Sequence, residues 1–177
     1  MPEIIYHVAS SLDGFIADVD DKVDWLNNFN AFEDKEVMDD FQKLMSSFDG
    51  ILLGGKTYDF VVAHGKWMAA GTPTWVFTSR ELPALDPCIQ VTNDSPEKLV
   101  KDIASKKLKR IWLMGGGKLA GSFLNAGLID EVNLTIAPIM LGQGIPLIAQ
   151  TQVEPKLTLT ESKPYANGFV SVRYRVE

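Results

Sequence analysis

The sequence predicts an α/β domain with a mainly parallel central sheet and antiparallel strands along its C-terminal edge. Three observations predict it. Apolar, β-prone runs alternate with helix-spaced apolar patterns through most of the chain. Glycine clusters stand just beyond the ends of those runs. Two segments that alternate with period two flank Asn167-Gly168, a hairpin signal, near the C-terminus. The 177 residues fit one domain spanning 1–177, because no linker, repeat or low-complexity tract divides them.

In chain order, Ile4-Ile5-Tyr6-His7-Val8-Ala9 reads as a buried strand. Asp18 to Asn30 is polar and reads as a loop. Val37, Phe41, Leu44, Met45 and Phe48 then recur at helical spacing, and Glu33 and Asp34 suit the positive first turn. Gly50-Ile51-Leu52-Leu53 is a second strand, with a helix starting near Lys56-Thr57. Thr74 to Thr78 and Ile89 to Val91 are the third and fourth strands. Ser95-Pro96-Glu97 opens a helix, with serine as N-cap and proline in the first position. Leu99, Val100, Ile103 and Ala104 form its apolar stripe. Arg110 to Met114 is the fifth strand, and Leu119, Ala120, Phe123 and Leu124 mark the inner face of the next helix. Glu131 to Ile139 reads as one long strand, before the alternating Leu157–Thr160 and Val170–Val176.

Composition narrows the function classes. At 46% hydrophobic and 23% charged, the chain has the balance of an ordinary globular protein. It lacks the run of about 18 apolar residues that a membrane span needs, and its first residues lack the pattern of a secretory leader. One cysteine, Cys88, and two histidines allow neither a disulfide framework nor a zinc site, so no metal and a reducing cytoplasm are expected. The net charge of -6 argues against nucleic acid as a partner. An anionic ligand must therefore be held by backbone N–H groups and a few local cations.

Three turns offer such groups. Gly115-Gly116-Gly117, between a strand and a helix, lets backbone approach a phosphate and aims helix-terminal N–H groups at it. Gly54-Gly55-Lys56-Thr57 adds an ammonium and a hydroxyl in the same context. Thr78-Ser79-Arg80 adds two hydroxyls and a guanidinium suited to a 2′-phosphate. Each alone also reads as an ordinary turn. Together they describe an extended, multiply phosphorylated ligand across the carboxyl ends of the strands, where such sheets bind ligands.

These turns, preceded by Ser11-Leu12-Asp13-Gly14-Phe15-Ile16-Ala17 and followed by Ala137-Pro138-Ile139-Met140-Leu141-Gly142-Gln143-Gly144, form an ordered set over nearly the whole chain. In that set the sequence resembles the dihydrofolate-reductase-like superfamily. The likeness is greatest to the C-terminal reductase domain of the riboflavin-biosynthesis deaminase/reductase and its stand-alone relatives. The resemblance implies a three-layer αβα fold and hydride transfer from NADPH to a C=N bond of a pyrimidine- or pterin-like heterocycle. It implies that Ala9, Ile16 and Ala17 lie near the nicotinamide. Gly54, Gly55, Lys56 and Thr57, with Gly115, Gly116, Gly117, Lys118 and Leu119, would hold the diphosphate. Thr78, Ser79 and Arg80 would meet the adenosine end.

The rest of the chemistry is less sharply marked. Hydride addition to an imine needs a proton at nitrogen; Asp13 is the first candidate donor, with a turn role beside Gly14 and delivery by water as alternatives. Asp24 and Trp25 are the candidate substrate contacts, Trp25 because a loop tryptophan can wall a flat ring. Glu33, Asp34 and Asp39 are further candidate acids, and spacing does not choose among them. Trp67, Trp75 and Trp112 read as core, His7 as a satisfied strand histidine and His64 as solvent-facing. The expected partner is a small heterocyclic substrate; a homodimer through the apolar last strands or Met140-Leu141 is expected, with closure of the monomer's own core by those segments as the alternative. A non-catalytic nucleotide-binding module is the alternative reading.

Overall fold

The strand β1 (Glu3–Ser11) lies deep in the sheet, and its unbroken apolar start has a direct cause: neighbours cover both of its faces. The structure, a computed structural model, describes residues 1–29, 33–63, 67, 69–83 and 86–177. The expectation for His64 falls outside them.

Chain order continues with β2 (Phe15–Ala17), a 3₁₀ turn (Asp24–Phe29), α1 (Lys35–Met45), β3 (Gly50–Gly54), α2 (Gly55–Ala63), β4 (Thr74–Phe77) and β5 (Ile89–Thr92). It ends with α3 (Pro96–Ser105), β6 (Arg110–Gly115), α4 (Gly117–Asn125), β7 (Glu131–Ala137), β8 (Ile145–Pro146), β9 (Leu157–Pro164) and β10 (Val170–Val176). The main sheet runs β5-β4-β3-β6-β1-β7-β10-β9. Pairing from β5 to β7 is parallel, and β10 pairs antiparallel with both β7 and β9. The predicted fold class therefore holds, antiparallel edge included.

Helices cover both faces. On one side α3 and α4 pack Leu99, Val100, Ile103, Ala120 and Phe123 onto Ile4, Tyr6, Leu52, Ile111 and Leu113. On the other, α2 packs Tyr58 and Val61 onto Ile5, Ile51, Leu53 and Trp112. Caps fix the helix starts as their residue types require. The Asp34 carboxylate accepts from the N–H groups of Glu36 and Val37 at 3.0 and 3.1 Å, and the Ser95 hydroxyl accepts from Lys98 N–H at 3.3 Å. Among the described residues, no helix is long and apolar enough to cross a membrane.

One helix breaks the packing pattern. α1 is strongly amphipathic, yet none of its residues is buried. Its apolar face roofs a cavity.

Three local expectations change. The strand from Glu131 ends at Ala137, because Pro138 cannot donate to a ladder. Part of the presumed loop from Asp18 to Asn30 is the 3₁₀ turn, which carries Trp25 into a small core with Ala137 and Phe169. β2 and β8 pair as a two-stranded ribbon too short to leave a periodic signal.

Candidate active site

A single cleft of about 1380 Å³ opens at the carboxyl ends of β1, β3, β4 and β6 and continues beneath α1. Its first half gathers most of the residues singled out in the sequence. Ala9, Ile16, Ala17, Gly54, Gly55, Lys56, Thr57, Thr78, Arg80, Gly116, Gly117, Lys118 and Leu119 all line it. Ser79 instead borders a neighbouring surface depression, with Glu81, Val91 and Thr92.

The triple glycine divides into three roles. Gly115 has φ +116°, a conformation that side chains strain to adopt, and it closes over the Tyr6 ring. Gly116 is extended, and a Cβ there would find only Ile16 and Thr57, each at 3.7 Å. Gly117 is pressed against the β8 backbone, where a Cβ would lie 2.1 Å from the Pro146 carbonyl oxygen. Gly116 is also the N-cap of α4 and makes no side-chain cap. The first-turn N–H groups of α4 thus open on the cleft without a capping acceptor. The α2 start lies alongside, where the Arg80 guanidinium comes within 2.9 Å of a Cβ placed on Gly55.

Two of the three cations here are paired. Lys56 donates to Asp21 at 2.7 Å, and Arg80 donates to Asp59 at 2.8 Å. Lys118, in the first turn of α4, has no carboxylate at salt-bridge distance among the described residues.

The second half of the cleft has a polar floor and an apolar roof. In-register pairing sets His7, Asn133, Arg173 and Glu161 in one row across β1, β7, β10 and β9. Ala9, Thr135, Ser171 and Lys163 form the next. Val37, Phe41 and Leu44 of α1 face them, and Trp112 closes one side, its indole N–H donating to the His7 carbonyl at 2.8 Å. His7 Nδ1 lies 3.1 Å from the Asn133 carbonyl oxygen, which can only accept, so this nitrogen carries the proton. Burial pushes the His7 pKa down to about 4, with the nearby Arg173 charge acting the same way. The imidazole is therefore neutral in neutral solution.

Asp40 of α1 accepts from the Lys163 ammonium and, at 3.0 Å, from the Tyr165 hydroxyl. The Lys163 contact leads in holding the Asp40 carboxyl below the usual range. Burial, and then Asp40 as acceptor, push Tyr165 up to about 12.

Three expectations are corrected. Asp13 does not line the cleft. Its carboxylate accepts from the Ser11 hydroxyl at 2.6 Å and from the N–H groups of Leu141 and Gly142 at 3.1 and 2.7 Å. These donors, the hydroxyl first, keep its pKa low, so it ties two loops together as an ionised turn residue rather than a proton donor. Trp25 is buried in its own small core, and Asp24 is exposed; neither borders the cleft. Trp112, read as core only, is both core and wall. Sequence reasoning missed the floor, because polar residues at alternate positions of C-terminal strands look like a solvated face. Among the described residues, no cluster of histidine, cysteine or acidic groups could hold a metal.

The family model described as the RibD C-terminal domain matches residues 2–171. The chain belongs to the RibD C-terminal domain family. The membership agrees with the resemblance carried by the ordered turns and marks a reductase-like protein. Among relatives, YwjB of Bacillus subtilis (strain 168), named as an uncharacterised protein, is 31% identical over 165 residues, spanning 93% of this chain and 92% of its own. The riboflavin biosynthesis protein RibD of Haemophilus influenzae is 28% identical over 99 residues, spanning 52% of this chain and 26% of its own. A crystal structure from Shewanella sp. PV-4, assigned by name to riboflavin biosynthesis, superposes with a TM-score of 0.87 at 26% identity, covering 100% of this chain and 99% of that one.

Proposed function

We propose that this chain is an NADPH-dependent reductase that transfers hydride to a C=N bond of a pyrimidine- or pterin-like heterocycle. The observation that carries the reading is the uncapped start of α4 behind Gly116. Backbone donors and a free Lys118 meet the cleft there, and the gap at Gly116 is wide enough for close approach. The residues present fit a dinucleotide: two helix starts for the diphosphate, and Thr78 with Arg80 for the far end. When bound, NADPH supplies a hydride from its nicotinamide.

The chain's own residues do the rest. Ala9, Ile16 and Ala17 shape the junction between the two halves and keep it apolar. Phe41 and Trp112 hold a flat ring over the polar floor, which offers the neutral His7 imidazole, the Asn133 amide and the Thr135 and Ser171 hydroxyls as hydrogen-bonding partners. With Asp13 outside the cleft, water is the proton source in this proposal.

Arg80→Ala is expected to weaken NADPH by about tenfold or more and NADH little, since a charge-assisted bond contributes ~1.5–3 kcal/mol. Tryptophan-fluorescence titrations with both cofactors measure this, and NADPH oxidation against a heterocycle panel measures turnover. Equal losses for both cofactors refute the Arg80 assignment. Failure to bind NADPH refutes the reductase, and tight binding without any turnover points to a binding module.

A cytoplasmic homodimer completes the proposal. β9 is an edge strand whose Leu157 and Leu159 are 49% and 52% exposed, an unprotected apolar edge of the kind that pairs with another chain. Leu159→Lys is expected to turn a dimer into a monomer by light scattering, with an unchanged circular dichroism spectrum. A wild-type monomer would overturn the assignment.

A further inference from the structure

Beneath the glycine turn lies a buried phenol that does not border the cleft. Tyr6 of β1 is fully buried and shares its core with Ala120 and Phe123 of α4. Its ring lies under Gly115, where a Cβ would be 3.7 Å from Tyr6 Cε2. Its hydroxyl donates to the Leu147 carbonyl at 2.6 Å, across 141 residues of sequence. Burial holds the phenol above its ordinary pKa, so it stays a protonated donor.

The carbonyl it holds belongs to a strap, residues 145–150, that joins two walls of the cleft. The strap begins as β8, which pairs with β2, the bearer of Ile16 and Ala17. Leu147 N–H donates to the Gly14 carbonyl at 2.8 Å, and Ala149 N–H donates to the Gly117 carbonyl at 3.0 Å. The strap lies so close to α4 that only glycine fits beneath it. A Cβ on Gly117 would be 2.1 Å from the Pro146 carbonyl oxygen, and one on Gly121, a helical turn later, 1.8 Å from that of Ala149. β2 and the start of α4 face each other across Gly116, where a Cβ would sit 3.7 Å from Ile16. The strap is their common support. Among the described side chains, two hold it by hydrogen bonds: Asn125 from α4, to the Gln150 carbonyl at 2.9 Å, and Tyr6 from the central sheet.

We infer that Tyr6 is a positioning residue for the proposed cofactor site: its hydroxyl fixes the strap, and through the strap it sets the spacing between β2 and the first turn of α4. This rests on the reductase reading for the identity of the bound molecule, NADPH. In that reading the diphosphate meets the α4 start and the nicotinamide meets β2. A shift between the two walls therefore disturbs the part of the molecule that NADPH and NADH share. Without the hydroxyl, the Leu147 carbonyl loses its donor and the strap is free to slide along the glycine groove of α4.

The test compares Tyr6→Phe with Ile103→Val, which removes a methyl group from the same core without touching a side-chain hydrogen bond. Both variants are expected to lower Tm by about 2–4 °C. Only Tyr6→Phe is expected to weaken NADPH and NADH, equally and by about fivefold, in tryptophan-fluorescence titrations well below Tm. In the free protein, amide hydrogen exchange at Leu147 and Ala149 is expected to rise about fivefold relative to the β3 amides in Tyr6→Phe, and to keep its wild-type ratio in Ile103→Val. Unchanged affinity in Tyr6→Phe, a loss confined to NADPH, or an equal loss in Ile103→Val overturns the inference and leaves the reductase standing. A wild type that binds neither cofactor sinks the reductase reading. The exchange ratio then decides the role of Tyr6 by itself, and an unchanged ratio overturns it.

Discussion

Alanine at Gly117 is expected to destabilise the fold by about 3 kcal/mol, whereas alanine at Gly116 leaves stability nearly unchanged and costs NADPH affinity. The two substitutions add the same methyl group one residue apart. At Gly117 the new carbon would sit 2.1 Å from the Pro146 carbonyl oxygen, a backbone atom of the β2–β8 ribbon. Either α4 or the ribbon must move. The ribbon has little freedom, because Ala149 N–H donates to the Gly117 carbonyl at 3.0 Å and Leu147 N–H to that of Gly14 at 2.8 Å. Overpacking of this kind lies at the upper end of the ~1–3 kcal/mol range and corresponds to roughly 6–12 °C in Tm for a chain of this size. At Gly116, φ is -82° and the nearest atoms are 3.7 Å away, so alanine fits the free protein. In the cofactor placement proposed above, the methyl group would occupy the gap through which a phosphate would reach the α4 N–H groups, and about a tenfold loss of NADPH affinity is expected. Thermal melts and cofactor titrations of both variants settle the matter. A stable Gly117→Ala protein would show that the ribbon yields, and wild-type affinity in Gly116→Ala would remove the α4 start from the cofactor site.

Acid is expected to destabilise the protein through His7 by about 3 kcal/mol. In the fold its pKa is about 4, against an ordinary value of 6.5. The folded state refuses a proton that the unfolded chain accepts. The stabilisation is therefore complete above pH ~6.5 and is lost as pH falls through ~4, by ~1.4 kcal/mol for each unit of the difference. Carboxylates titrate over part of the same range, so the comparison is with His7→Gln, which keeps an N–H donor for the Asn133 carbonyl and cannot take up the proton. Urea unfolding near neutrality and near pH ~4 should show a steeper loss for the wild type. Equal slopes would mean that His7 ionises as readily folded as unfolded.

Much of the fold could be read from residue patterns because its elements follow local rules. Ser95 caps a helix where its side chain predicts, Asp34 stands as N-cap just outside the first turn expected for it, and the continuous apolar runs of β1, β3 and β6 report strands covered on both faces. That the glycine-rich turns share one cleft was equally legible, since glycines between a strand and a helix are conspicuous and strand ends of such a sheet lie together. The half beneath α1 was not. Its floor is assembled from β1, β7, β9 and β10, residues far apart in sequence that only sheet register brings into rows. A one-residue irregularity hides it further. Leu157 and Leu159 pair with Val176 and Tyr174, but Thr160 is passed over, and Glu161 pairs with Arg173. Were Thr160 paired in turn, strict alternation would place Glu161 on the same face as the two leucines. The Asp18–Asn30 stretch misled for the opposite reason: a buried tryptophan in a polar segment looks like a binding group, although its ring fills a core.

The irregularity at Thr160 makes the outer strand a hinge between two kinds of heredity. Upstream, changes alter an apolar outer surface; downstream, they alter the lining of the cleft. Loss of that single codon would remove the bulge and still leave Glu161 opposite Arg173 and Lys163 opposite Ser171, so the two roles of the strand survive it. An extra or missing residue further along the strand would instead exchange its two faces from that point on, while the helices and glycines at the opposite end of the cleft are left as they were.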